Sequence, residues 1–240
     1  QNRTYQDLLK NPNDEHNFEQ LAISEVKKVT LDGKASNFLP PAMYRGMSFS
    51  PDGKYVMITK IKKPFSYIVP YSRFPYDETV YTADGNFVAT VNDVPLNEVQ
   101  PKGFMATRKG KRNMSWRADK AATLYWVEAQ DEGDPEVDVP YRDYVYQMAA
   151  PFNGEADPVT RTINRFSGIQ WGNDKTAIAY DYWWNDRNTK TYVFNPSDNS
   201  QQPVVITDRN YQDQYSDPGD FVTEKNDFGR YVLVVDKGQL

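Results

Sequence analysis

The chain has 240 residues, 14% of them aromatic, and 33 acidic against 28 basic side chains give a net charge of -5. That length supports a real hydrophobic core, as one large domain or two small ones. The negative balance argues against nucleic acid as a partner, because nucleic acid is held mainly through Lys and Arg. No apolar run approaches the ~20 residues of a membrane-spanning helix, so no membrane partner is expected either. The absence of cysteine excludes disulfides, thiolate metal sites and a Cys nucleophile. It leaves the compartment open, with a periplasmic or exported parent protein as the expectation.

The first element is a short helix in Asn11–Leu21, where Asn11 or Asn13 can cap and Asp14 and Glu15 fill the first turn. From there on the pattern is β. Aromatic and β-branched residues suit pleated, half-buried surfaces. Four segments share one order: an apolar lead-in, a short polar turn containing Asp, then a β-rich run. Their turn aspartates are Asp52 (in Ser50-Pro51-Asp52-Gly53-Lys54), Asp119, Asp174 and Asp227, spaced by 67, 55 and 53 residues. A second set of strand-like runs ends in Asp32-Gly33, Asp84-Gly85, Asn153-Gly154 and Asp198-Asn199, pairs that tolerate the positive φ of tight hairpins. The two sets interleave, so each unit reads as hairpin plus hairpin, a four-stranded antiparallel sheet. Blades of β-propellers repeat at ~40–50 residues. The predicted fold is therefore all-β, a partial β-propeller of about four blades. The divisions fall at roughly 1–46 (partial), 47–113, 114–168, 169–220 and 221–240 (partial). An ordinary β-sandwich with similar turns is the alternative. Both ends, at Gln1 and at Val234–Leu240, read as cuts inside a longer protein.

Ser50–Lys54 is a signature common to propellers of prolyl oligopeptidase-type peptidases and TolB-like proteins. Longer strings are more specific: Arg3–Glu15, Lys63–Pro75, Trp116–Asp119 leading through Ala122–Ala129, Gly133-Asp134-Pro135, Arg142-Asp143 and Tyr215–Gly219. Through them the chain, from about residue 3 to about 222, resembles the glutamyl endopeptidase branch of the prolyl oligopeptidase family. One departure is Lys62-Lys63-Pro64, where that branch often has His-Arg-Pro. The resemblance implies a propeller that caps an α/β-hydrolase domain bearing Ser, Asp and His. That hydrolase domain would then be the partner of this segment in the parent chain, and peptides would be the substrates.

The catalytic chemistry itself is not encoded here. There is no G-x-S-x-G nucleophile elbow, and the one histidine, His16, sits in a polar stretch away from any serine of that context. A single His also cannot supply a three-histidine zinc site, and no Gly-rich phosphate loop is present. No cofactor and no metal are expected, and the segment alone is expected to be inactive.

What remains is binding. Lys102, Arg108, Lys109, Lys111, Arg112 and Arg117 fall in a window without acids, and Lys60, Lys62, Lys63 and Arg73 surround the Pro64-Phe65-Ser66-Tyr67 segment. Arg holds a carboxylate through two parallel hydrogen bonds, the contact that a glutamate-preferring site requires. The substrate-binding candidates are Arg73, Arg112, Arg117, Tyr67 and Lys63, against a reading as solvated charges or ties between blades. The acidic stretch Asp131–Asp138 invites calcium only weakly, since it lacks EF-hand spacing, and a hairpin loop fits it better. Of Trp183 and Trp184, neighbours on a strand, at most one shares a face with a ligand. Open sheet edges recruit other strands, so dimerisation through blade edges is expected.

Overall fold

The computed structural model describes residues 4–240; Gln1, and Arg3, which begins the first string above, lie outside the described residues. One helix, α1 (Pro12–Ala22), precedes a run of strands. Asn11 caps α1, its side-chain oxygen accepting from the amides of Asn13 and Asp14 at 2.9 and 3.0 Å. Pro12 at the first helical position lacks a donor that would be unsatisfied there anyway.

The strands form sheets in sequence order. β1 (Ser24–Val29) and β2 (Ala35–Ala42) pair with each other. β3 (Tyr44–Phe49), β4 (Tyr55–Ile61), β5 (Tyr76–Thr82) and β6 (Phe87–Val94) form one four-stranded sheet. β7 (Arg112–Trp116), β8 (Thr123–Ala129), β9 (Asp143–Ala149) and β10 (Asp157–Thr162) form a second. The third is made by β11 (Arg165–Trp171), β12 (Ala177–Trp183), β13 (Asn188–Phe194) and β14 (Val204–Asn210). β15 (Thr223–Lys225) and β16 (Tyr231–Leu233) make a final pair. Every pairing is antiparallel between chain neighbours, the meander of a propeller blade. The fold is all-β, a partial propeller with three complete four-stranded sheets and two two-stranded ones among the described residues.

The two families of turns sort the hairpins. Asp52, Asp119, Asp174 and Asp227 all lie between a first and a second strand. Asp84-Gly85, Asn153-Gly154 and Asp198-Asn199 lie between a third and a fourth. By its Asp32-Gly33 turn, the β1–β2 pair belongs to the second kind, and β15–β16 belongs to the first.

Bulges recur at matching places. The fourth strand carries one extra residue against the third at Val91 in β6, Val159 in β10 and Ile206 in β14, and Phe38 in β2 matches them. First strands bulge as well, at Arg45 in β3 and Ser167 in β11. An inserted residue bends the strand and increases its twist, which lets a short sheet wrap on its neighbour.

The chain divides into two compact units, one reaching to Val99 with Pro151–Asn153, the other holding Gln100–Ala150 and Gly154–Leu240. In the first, Leu39, Val56 and Ile58 form one buried group with Val26, Phe38, Tyr44 and Tyr81 against it. A second group joins Ile61, Phe65 and Phe74, on which Phe18 of α1 packs edge-on at 5.1 and 5.6 Å. In the second unit, Val127, Val145 and Val159 of one sheet pack against Phe166, Trp171, Ala177, Ala179, Tyr192 and Phe194 of the next. Replacing Phe194 by Ala in this core should lower stability by ~3–5 kcal/mol, transfer and cavity terms together, read as a lower urea midpoint. Asn11→Ala should cost only about 1 kcal/mol through the lost cap.

Candidate functional site

In the second unit, charge collects at both ends of the strands. At the end where β7, β9 and β11 start lies a buried ionic network. Asp143 and Asp131 are fully buried. Asp143 accepts from Arg112 Nη2 at 2.5 Å, Arg165 Nη1 at 3.3 Å and the Phe166 amide at 2.8 Å. Asp131 accepts from Arg165 Nη2 at 2.7 Å, Arg142 Nη1 at 2.8 Å and the Gly133 amide at 3.1 Å. Arg165 Nε donates to the Met105 carbonyl at 2.9 Å, and the Arg142 guanidinium lies 4.3 Å over the Trp183 ring. Charges out of water persist only when paired and fully bonded, and this network meets that condition at both carboxylates. It fastens the 103–108 segment and the 131–138 loop to two sheets. Gly133 is part of the fastening: its φ is +78°, and a Cβ there would fall 2.2 Å from the Thr107 carbonyl oxygen.

At the opposite end, the turns between first and second strands of three successive sheets line an open cleft of about 530 Å³. That volume is within the ~300–1,000 Å³ of small-ligand sites. The walls are Asp119 and Lys120, then Gly172–Lys175, then Asn226–Phe228 with Val232. Asp119 is gripped by Arg117, whose Nε and Nη2 reach its two oxygens at 3.0 and 2.6 Å. Arg117 lies 4.0 Å over the Trp171 ring and also donates to Gln147. Asn226 Nδ2 donates to the Ala118 carbonyl at 2.9 Å, joining the third turn to the first. Lys120 pairs with Asp174 and holds that carboxyl below its usual range, first by hydrogen bond and then by charge. Lys175 and Asp227 enter no ion pair among the described residues. The cleft thus offers one uncommitted ammonium and one uncommitted carboxylate beside the apolar Phe228 and Val232.

The five residues named from sequence take different places. Arg117 is buried in its pair with Asp119, and Arg112 is mostly buried in its pair with Asp143. Both are ties inside the second unit, and neither presents a free guanidinium. In the first unit, Tyr67 donates to Glu15 at 2.7 Å and Lys63 pairs with Glu19 at 2.6 Å, so both hold α1. The Glu15 hydrogen bond pushes the Tyr67 phenol above its ordinary pKa. Arg73 lies 5.4 Å over the Tyr5 ring. His16 is exposed on α1. Asp131 of the acidic stretch is committed to two guanidiniums. Trp184 is stacked on Phe104 at 4.0 Å and covered by Arg187 at 3.7 Å, so its ring has no free face. Sequence reasoning missed Lys120, Lys175 and Asn226 as cleft residues, although it had found the three turn aspartates beside them. The signal was the repeat itself, which puts equivalent turns at the same end of neighbouring sheets.

No family model matches the chain. Two curated relatives do. The chain is 41% identical over 239 residues to a protein named "Probable glutamyl endopeptidase, chloroplastic" from Oryza sativa subsp. japonica, covering 99% of this chain and 26% of that one. It is 41% identical over 233 residues to its namesake from Arabidopsis thaliana, covering 96% and 24%. The chain therefore spans about a quarter of the length of these relatives. Among solved structures, an uncharacterized protein of Listeria monocytogenes EGD-e is similar at a TM-score of 0.48 and 12% identity, covering 77% of this chain and 47% of that one. A putative 6-phosphogluconolactonase of Bacteroides uniformis ATCC 8492 is similar at 0.37 and 12%, covering 80% and 52%. At these scores the structural likenesses add nothing to the argument.

Removing Asp143 by Asp143→Ala leaves Arg112 and Arg165 buried without that carboxylate and should cost ~3–5 kcal/mol. Asp227→Ala, at an exposed turn, should stay within ~0.5 kcal/mol; urea titration separates the two. A pH test uses Asp181, fully buried in β12, which accepts from Tyr192, Asn164 and the Lys190 amide. Burial raises its pKa above the ordinary carboxylate range despite those bonds. The folded state then binds a proton more tightly than the unfolded chain, so this group's contribution improves as pH falls from neutral toward about 4 and levels off below it. Over that range wild type should gain stability relative to Asp181→Asn.

Proposed function

We propose that this chain is the non-catalytic propeller part of a prolyl oligopeptidase-type serine peptidase, where it admits and helps select peptides, acidic ones in particular. The observation that carries this reading is identity of 41% along almost the whole chain with two proteins named as glutamyl endopeptidases, of which it spans only a quarter. Bond cleavage would belong to an α/β-hydrolase domain elsewhere in the parent chain.

The geometry supports a particular contact. Of the basic residues considered, Arg112 and Arg117 are consumed by buried carboxylates. Lys63 would have to exchange Glu19 for a peptide carboxylate. Lys175 needs no exchange and stands in a cleft of ligand size. A peptide carboxylate meeting it would complete an exposed ion pair, with Phe228 and Val232 taking apolar side chains. A stand-alone propeller of the TolB-like kind, binding a protein or glycan, is the second reading. It is favoured by nothing beyond the shared Ser50–Lys54 signature.

The test is fluorescence anisotropy of labelled peptides against the 240-residue chain. A Glu-containing peptide should bind more tightly than its Gln counterpart, with no hydrolysis. Lys175→Ala should weaken the Glu peptide by up to about fivefold, the ~0.2–1 kcal/mol of an exposed ion pair, and leave the Gln peptide unchanged. Equal binding of the two peptides would remove the acidic preference, and hydrolysis by the chain would remove the division of labour.

A further inference from the structure

The three turns on the wall of the cleft are copies of one another, and comparing them exposes a gap in their charges. Asp119-Lys120 and Asp174-Lys175 stand at the third and fourth positions after the tryptophans that end β7 and β11, Trp116 and Trp171. The third turn is matched through its asparagine. Asn173 accepts from the Lys175 amide at 2.8 Å, and Asn226 accepts from the Phe228 amide at 3.1 Å. Each asparagine also donates its own amide across the turn, to the carbonyls of Thr176 and Arg230, both at 3.0 Å. The third turn is one residue longer, and the extra residue falls after Phe228. Asp227 therefore corresponds to Asp174, and Phe228 to Lys175.

Lys120 on the first turn reaches forward to Asp174 on the second. The same step from the second turn would carry Lys175 to Asp227 on the third, yet these two form no ion pair among the described residues. The third turn is held elsewhere. Asn226 Nδ2 donates to the Ala118 carbonyl at 2.9 Å, which ties that turn to the first. The other charges of the wall are matched, Asp119 by Arg117 and Lys120 by Asp174. What is left is half an ion pair of each sign, beside Phe228, which stands where a third lysine would continue the row.

A ligand with a carboxylate alone satisfies Lys175 but brings its charge into the same cleft as Asp227. A ligand bearing both signs meets both groups, and an opposition of like charges gives way to two attractions. We propose that the cleft takes peptide segments that present a carboxylate and an ammonium together, the carboxylate to Lys175 and the ammonium to Asp227. This rests on the reading of the cleft as a peptide site and names the acidic peptides it selects. The ammonium can be that of a lysine beside the acidic residue or the peptide's own free amino terminus.

The test is fluorescence anisotropy of C-terminally labelled peptides against the 240-residue chain at low ionic strength. An acetylated peptide with one Glu and no cation is the reference. Adding a Lys near the Glu, or leaving the amino terminus of an N-terminal Glu free, should tighten binding about twofold to fivefold, the worth of one more exposed ion pair. Whichever addition does so identifies the source of the ammonium. Asp227→Asn should abolish the gain. Asp138→Asn makes the same change of charge at an exposed residue of the 131–138 loop, at the opposite end of the strands, and should keep it. That comparison separates a contact in the cleft from the general attraction of a chain of net charge -5 for cations. No gain from either ammonium overturns the proposal, and so does a gain that survives Asp227→Asn or is lost equally in Asp138→Asn. Equal binding of the reference peptide and its Gln counterpart is a different result, and it removes the acidic reading on which the proposal rests.

Discussion

A four-stranded meander has two faces and a modest area, and it stands only when another layer covers them. That constraint organises the second unit. β12 carries Ala177 and Ala179, both fully buried, so the adjoining sheet can come close enough for Val127, Val145 and Val159 to seat beside Trp171 and Phe194. Gly172 serves the same end on the other side. A Cβ there would lie 3.3 Å from Leu233 Cβ and 2.7 Å from the Thr176 carbonyl oxygen, so β16 approaches across bare backbone. The recurrent fourth-strand bulge then turns an apolar residue, Val159 in β10, onto the neighbour.

Apolar contact ends where the strands end, and the two ends solve this differently. At the starts of β7, β9 and β11, three arginines and two aspartates replace the hydrocarbon core. Desolvation makes such groups expensive singly, and removing one partner is far worse than never having had the pair. Arg165 illustrates the logic: its donors reach Asp131, Asp143 and the Met105 carbonyl, so one side chain satisfies an adjacent loop and an adjacent strand. The other end is made of tight turns whose polar groups largely satisfy their own backbones, as Asn173 and Asn226 do. Short self-contained turns leave room between them, and the cleft follows from that spacing.

The repeat was legible because its signals are local. A polar turn after an apolar lead-in, or Asp-Gly after a β-rich run, is dictated within about four residues by positive φ and side-chain-to-backbone bonds. Asp52 shows it, accepting from Ser50 and from the Lys54 amide. The cap at Asn11 was legible for the same reason. Arginine roles were not. Arg117 and Arg112 lie in an acid-free window that reads as a basic surface, yet each meets a carboxylate supplied by the fold: Arg117 two residues on along its own turn, Arg112 across two strands at Asp143. Pairings such as Arg165 with Asp131 join residues that share no local pattern. The string Arg142-Asp143 stands out in the sequence, but its meaning depends on β11 lying alongside.

This difference in range decides where binding can reside. Residues in the strands and in the ionic network are committed twice over, to a sheet and to a neighbour, so a ligand would have to break the fold's own bonds to use them. Turn side chains that follow the self-bonding asparagine carry no such obligation. Lys175 lies two positions after Asn173 and Asp227 one position after Asn226, and each asparagine bonds its own turn. A scaffold of repeated hairpins can therefore vary those side chains without disturbing the packing beneath them, and loops held by a rigid framework are where recognition tends to concentrate.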